Sequence, residues 1–203
     1  MLEINHLSVK TRELIYEDVS YQFVCGKLYG IAAVNGSGKT TLFRAIMDLI
    51  PVESGTVSVD ENDISKMRRR IFYFESFEWF DQNLSGMDYL LFVKNMWRSP
   101  MSIESVVKYW DMESFVNVPI RKYSLGMKQR LIIAMYFVSG AKYMIMDEIT
   151  NALDEENRKK LFQSLRTLRE KGRMVLLSSH YKEDIQELCD VILTIENHQL
   201  KEI

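Results

Sequence analysis

Apolar and polar residues alternate along Leu2 to Val9, along Val19 to Val24 and along Gly55 to Asp60, the two-residue period of antiparallel strands with one buried face. Leu28 to Val34, Tyr143 to Met146 and Met174 to Ser178 are instead nearly continuous apolar runs, as expected of strands covered on both sides. Between them the period becomes helical: Thr40 to Leu49, a short stretch from Asp63 to Arg70 leading into a strand Ile71 to Phe74, and a long section from Ser85 to Val116. In that section Met87, Leu90, Leu91, Val93 and Met96, then Ile103, Val106, Val107 and Trp110, line apolar faces. Further helices are predicted at about Leu125 to Val138, Asp154 to Lys171 and Lys182 to Leu188, with a closing hairpin around Glu196 to Gln199. Strands alternating with helices predict an α/β fold with a mostly parallel sheet and right-handed crossovers. To this are added an N-terminal antiparallel β subdomain and a helical insertion at about 83–140, all within one unit spanning 1–203. There is no internal repeat and no low-complexity segment.

The chemistry begins at Ala33-Val34-Asn35-Gly36-Ser37-Gly38-Lys39-Thr40-Thr41, a glycine-rich turn between a predicted strand and a predicted helix. Such a turn wraps backbone amides around a phosphate, so the core reads as that of a P-loop nucleoside triphosphatase. The amides of Gly36 to Lys39 and the positive end of the helix face the β-phosphate, and Lys39 supplies a point charge to the β- and γ-phosphates. Thr40 is a candidate magnesium ligand, and Asn35, Gly36, Ser37, Gly38, Lys39, Thr40 and Thr41 form the candidate nucleotide-binding set. Ala33 stands where the pattern expects a glycine, which requires that it keep a negative φ.

Composition narrows the alternatives. With 203 residues, 47% of them apolar, the chain can bury one substantial core. A net charge of −2 argues against a surface dominated by nucleic-acid binding, and no nucleic-acid partner is expected. The basic run Lys66-Met67-Arg68-Arg69-Arg70 reads best as a solvated helix end. Cys25 and Cys189 lie far apart without metal-type spacing, and Met1 to Asn5 shows no signal-peptide pattern, so a reduced, cytoplasmic protein is expected. The longest apolar run, Leu131 to Val138, falls well short of the roughly 20 residues of a membrane helix.

Two carboxylates, Asp147 and Glu148, follow the apolar strand Tyr143 to Met146, at the carboxyl end where open α/β sheets receive ligands. Asp147 suits a magnesium ligand acting through water; Glu148, expected to point off the strand the other way, suits a general base for the attacking water. His180, closing the next strand, is placed to hydrogen-bond a γ-phosphate.

The order of P-loop, helical insertion, Tyr123-Ser124-Leu125-Gly126-Met127-Lys128-Gln129-Arg130, Asp147-Glu148, Asn151-Ala152-Leu153-Asp154 and His180 resembles the ATP-binding cassette (ABC) family over essentially the whole chain. Ser124 and Gly126 agree with the family's LSGGQ signature, whereas Tyr123, Leu125 and Met127 depart from it; Asn151 to Asp154 is similar to the D-loop, and His180 falls at the switch histidine. The resemblance implies an ATPase of an ABC transporter that uses ATP and Mg2+, with Lys39, Glu148 and His180 as catalytic residues. It implies that Ser124 and Gly126, at a helix N-terminus, serve the nucleotide of a second copy across a homodimer or heterodimer. It further implies a separately encoded transmembrane permease subunit, with this chain peripheral on the inner face of the cell membrane. Two departures bear on mechanism: an ungapped reading puts Ser76, with Glu75 beside it, at the Q-loop glutamine, and Lys10 or Thr11 at the adenine-stacking aromatic. Tyr16 fits a core position better than a base-stacking one. The aromatic residues Phe72, Phe74, Phe77, Trp79 and Phe80 are expected to be mainly core, in a region that borders the permease groove in the family. The alternative is a soluble or regulatory ABC-type protein with weak hydrolysis and no membrane partner.

Overall fold

The computed structural model describes residues 1–34, 36–179 and 181–203. Along the chain run β1 (Leu2–Lys10), β2 (Leu14–Phe23), β3 (Leu28–Ile31), α1 (Lys39–Ile46), β4 (Ser54–Val59), β5 (Asn62–Asp63), α2 (Ile64–Met67), β6 (Ile71–Tyr73), α3 (Gly86–Trp97), α4 (Ile103–Tyr109), α5 (Leu125–Ser139), β7 (Tyr143–Met146), α6 (Glu155–Glu170), β8 (Met174–Ser178), α7 (Lys182–Leu188), β9 (Val191–Glu196) and β10 (Gln199–Glu202). One sheet is antiparallel, in the order β2-β1-β4-β5; the other has the order β10-β9-β3-β8-β7-β6, and only its β9–β10 pair is antiparallel.

Every residue of β3, β7 and β8 is buried, because both faces of the parallel sheet are covered. The strand period of two sorts their side chains into two cores. Leu28, Met144, Met146, Val175 and Leu177 pack with α5, α6 and α7. Tyr29, Ile31, Tyr143, Ile145 and Leu176 pack with α1 and the antiparallel sheet. The sheet is thereby clamped, and its carboxyl edge becomes a fixed platform.

The helices α3, α4 and α5 each begin at a serine whose hydroxyl accepts a backbone N–H: Ser85 from Asp88, Ser102 from Ser105 and Ser124 from Met127. They join the sheet through side chains. At its outer edge, the indole of Trp97 donates to the carbonyl of Ile71 (2.9 Å). Where β6 diverges from β7 after the Tyr73–Ile145 pairing, the buried hydroxyl of Tyr136 on α5 donates to Ile145 O and accepts the amide of Phe74 (3.2 Å).

Four elements differ from the sequence pattern. Strand β2 begins at Leu14 rather than Val19, because Asp18 sits at φ +52° and register shifts break the two-residue period opposite β1. Strand β3 stops at Ile31, short of Val34. Helix α1 spans Lys39–Ile46 and ends before Asp48, which takes φ +54°. The predicted helix from Asp63 to Arg70 is one capped turn, α2, followed by a 3-10 turn at Arg68–Arg70. Among the described residues, no helix is long and apolar enough to cross a membrane.

Candidate active site

The phosphate loop leaves the end of β3 and enters α1. Gly38 takes φ +103° and caps the helix, and a Cβ there would fall 2.6 Å from the Ile15 side chain, so only glycine fits. Tyr16, fully buried as expected of a core residue, holds the turn from below: its hydroxyl donates to Gly38 O at 3.0 Å. Gly36 takes φ +78° with open space around it, so its requirement is conformational. Ala33 keeps out of the left-handed region, which is the condition its methyl group sets.

Two polar groups in this loop lack the partner their chemistry demands. Lys39 is buried, and its ammonium reaches back to the carbonyls of Ala33 (2.9 Å) and Val34 (3.0 Å), with no carboxylate paired to it among the described residues. The hydroxyl of Ser37 is buried with no hydrogen-bond partner among the described residues. A buried cation and an orphaned hydroxyl at a helix N-terminus fit an anion with several oxygens. A cleft of ≈350 Å³ lies at the head of α1, walled by Ile15, Gly36, Gly38, Lys39, Thr40, Thr41 and Glu148. Lys10 and Thr11 are exposed and outside this wall, where Ile15 stands instead.

Thr40 donates to Asp147 Oδ2 at 2.6 Å, and Ser178, at the end of β8, donates to Asp147 Oδ1 at 2.6 Å. Burial raises the Asp147 pKa above the ordinary carboxylate value, the charges of Glu148 and Glu75 add to that, and the two hydroxyls oppose it. These oxygens are hard donors that suit Mg2+.

The reading of Asp147 and Glu148 as pointing to opposite sides needs correction. Strand β7 ends at Met146, and Glu148 lies in a turn at φ +50°, a conformation costly for a non-glycine residue. The turn, with Glu148 N donating to Ser178 Oγ (2.9 Å), brings both carboxylates onto one cavity of ≈170 Å³. Asn151 donates to Glu148 Oε2 at 2.8 Å and so orients it.

Ser76 caps the 3-10 turn Phe77–Trp79, and both Ser76 and Glu75 wall the same cavity as Asp147 and Glu148. Ser124 and Gly126 stand away from both cavity walls; Ser124 is exposed at the head of α5, and Gly126 lies beside Ala152 O. Phe72 and Phe80 are core, Phe74 and Phe77 half-buried and Trp79 exposed. The assignments to Asn35 and His180 fall outside the described residues.

Sequence reasoning missed Ser178, Arg44 and Gln129. Ser178 was signalled by a hydroxyl closing an apolar strand run. Gln129, buried in α5, donates to Ile149 O at 2.6 Å and ties the head of that helix to the turn behind Glu148. Arg44 gave no local signal at all, since its partner Glu75 lies 31 positions away.

A family profile described as ABC transporter matches residues 16–151. The uncharacterized ABC transporter ATP-binding protein YybJ of Bacillus subtilis (strain 168) is 31% identical to this chain over 99% of its length and 95% of the relative's. The Nod factor export ATP-binding protein I of Sinorhizobium fredii (strain NBRC 101917 / NGR234) is 27% identical over 91% of this chain, which spans 57% of that protein. Among solved structures, one described as an ATP-binding subunit of an ABC transporter superposes with a TM-score of 0.90 at 23% identity, covering 99% of this chain and 88% of that one. A dimeric post-hydrolysis ATP-binding cassette bound to ADP and Pi gives 0.86 at 23% identity, covering 100% and 98%. With the profile covering most of the chain and the phosphate loop, the Asp147 turn and the two-sheet core in place, the chain belongs to the ABC transporter family, and its fold is that of the family's ATPase domain.

Proposed function

We propose that this chain is the ATP-binding and ATP-hydrolysing subunit of an ABC transporter, that two copies or a copy and a relative close on ATP, and that the closure drives a separate membrane subunit. The observation that carries the nucleotide reading is the buried ammonium of Lys39 and the buried hydroxyl of Ser37 at the head of α1, the first with no carboxylate and the second with no hydrogen-bond partner among the described residues. A triphosphate satisfies both, and Gly36 to Thr41 supply the surrounding donors.

Thr40 and Asp147 would hold Mg2+, which when bound neutralises charge on the terminal phosphates. Glu148 borders both the phosphate cleft and the adjoining cavity, so it is the group placed to orient a water and take its proton. Ser178 fixes Asp147 and the backbone of Glu148 together, and Asn151 fixes the Glu148 side chain, so the two carboxylates are held in register. His180 is assigned to the γ-phosphate by its place in the sequence.

Ser124 and Gly126 are assigned to the nucleotide of a second subunit. Exposed Val34 on the phosphate loop and exposed Leu125 at the head of α5 support a face covered by another chain. Toward the membrane subunit, the exposed Trp79, Leu84, Leu91 and Phe92 offer apolar anchors on and before α3. That subunit would hold this chain at the cytoplasmic face of the membrane.

Titration of the purified chain with Mg·ATP, alongside Lys39→Ala, tests the reading. Binding and turnover in the wild type with loss of both in the variant supports it; equal affinity in the two removes the phosphate-loop assignment.

A further inference from the structure

Resting on the nucleotide site proposed above, we infer that Arg44 is a positioning residue that links the phosphate-binding helix to the segment 75–84 leading into α3. Helix α1 carries Thr40 and Arg44 four residues apart, hence on one face. Each engages a carboxylate of the same ≈170 Å³ cavity: Thr40 engages Asp147, and Arg44 engages Glu75. The guanidinium contacts Glu75 with two N–H groups, its Nε at 2.6 Å from Oε2 and its second nitrogen on Oε1. Tyr73 adds a third donor to Oε2 at 3.0 Å.

This pair differs from an exposed surface bridge. The Glu75 side chain is 9% exposed, so its charge depends on its partners rather than on water. Arg44 first, then Tyr73, hold its pKa below the ordinary glutamate value. Without Arg44 a largely buried anion would face Asp147 and Glu148 across the cavity, and the chain at 75 would have to move to relieve it.

Beyond Glu75 the segment is stiff enough to carry a displacement. Ser76 caps the 3-10 turn at Phe77–Trp79. The ring of Phe74 packs against both Trp79 and Phe80, with centroid separations of 5.5 and 4.8 Å, and Phe80 in turn packs against Tyr89 on α3 at 4.9 Å. Phosphates seating at the head of α1 therefore act on two carboxylates through one helix face, and the Arg44–Glu75 bond passes that movement toward α3.

Hydrogen exchange on the full chain, with and without Mg2+ and the slowly hydrolysed analogue ATPγS, tests this. In the wild type the nucleotide slows exchange of amides 76–84. In Arg44→Ala, affinity for the analogue stays within about threefold, the slowing at 76–84 is lost, and kcat for ATP falls roughly tenfold with KM little changed. Arg44→Lys, which keeps the charge without the planar fork, recovers only part of both. Slowing at 76–84 that persists in Arg44→Ala overturns this inference while leaving the nucleotide site standing. A wild-type chain that binds no nucleotide overturns the proposed function, and this inference with it.

Discussion

Replacing Gly126 with alanine separates what the fold needs from what the proposed seam needs. Gly126 is the second residue of α5, in ordinary helical backbone, and a Cβ built there meets only Ala152 O, at 3.5 Å, a normal contact. Nothing among the described residues requires glycine. Alanine is the better helix former by about 0.8–1.0 kcal/mol in a helix interior and less in a first turn, so Gly126→Ala should raise stability by roughly 0.5 kcal/mol. For a chain of this size that is a melting-temperature increase of about 1–2 °C. If the backbone at Gly126 closes on a phosphate of a second subunit, the same methyl group intrudes where donors must approach an anion, and turnover should fall by about 10²-fold. The assay is calorimetric melting beside steady-state phosphate release measured over a range of protein concentrations. A variant that melts no lower than wild type yet has lost turnover supports the seam. Normal turnover with normal concentration dependence refutes it, since it would mean that no phosphate comes near this backbone.

Other outcomes follow from the geometry. Glu148→Gln should retain nucleotide but stop hydrolysis, and so trap an ATP-bound dimer visible by size-exclusion chromatography; turnover at the wild-type rate would remove the general-base assignment. Tyr136→Phe leaves Ile145 O and the amide of Phe74 without the hydroxyl they share, at a cost of about 1–3 kcal/mol, which chemical denaturation would read directly. Ser178→Ala removes one of the two hydroxyls that donate to Asp147 among the described residues, and the acceptor for Glu148 N; the expected result is a fall in kcat of about tenfold, with Thr40 still in place to hold the metal side.

The parallel core was legible because burial on both faces turns a strand into an unbroken apolar run: Tyr143–Met146 and Met174–Ser178 begin and end where the pattern puts them. The antiparallel sheet was less so. Asp18 interrupts the alternation of β2 with a left-handed residue, and the strand's first part, Leu14 to Glu17, then looks like a loop. At the site, local motifs marked the phosphate loop and Asp147-Glu148 but not how the latter pair faces, since a positive φ at Glu148 cancels the strand alternation that sequence reasoning relies on. Long-range partners were beyond reach for a different reason. Arg44 on α1 and Glu75 after β6 meet only through the packing of helix on sheet, and neither residue type nor spacing encodes that meeting.

The phenol of Tyr136 and the indole of Trp97 stand in for backbone rungs along the border between β6 and the helices. A sheet whose last rungs are side chains depends on single residues at its border: the exchange of one indole bond is worth about 1 kcal/mol, and the buried phenol, which serves two backbone groups, about 1–3 kcal/mol, in neither case unzipping the strands behind it. The helical layer shares a core with the plate through α5, so what those two bonds set is the fit along the outer edge, while the carboxyl edge that carries Asp147 is fixed by the strands themselves.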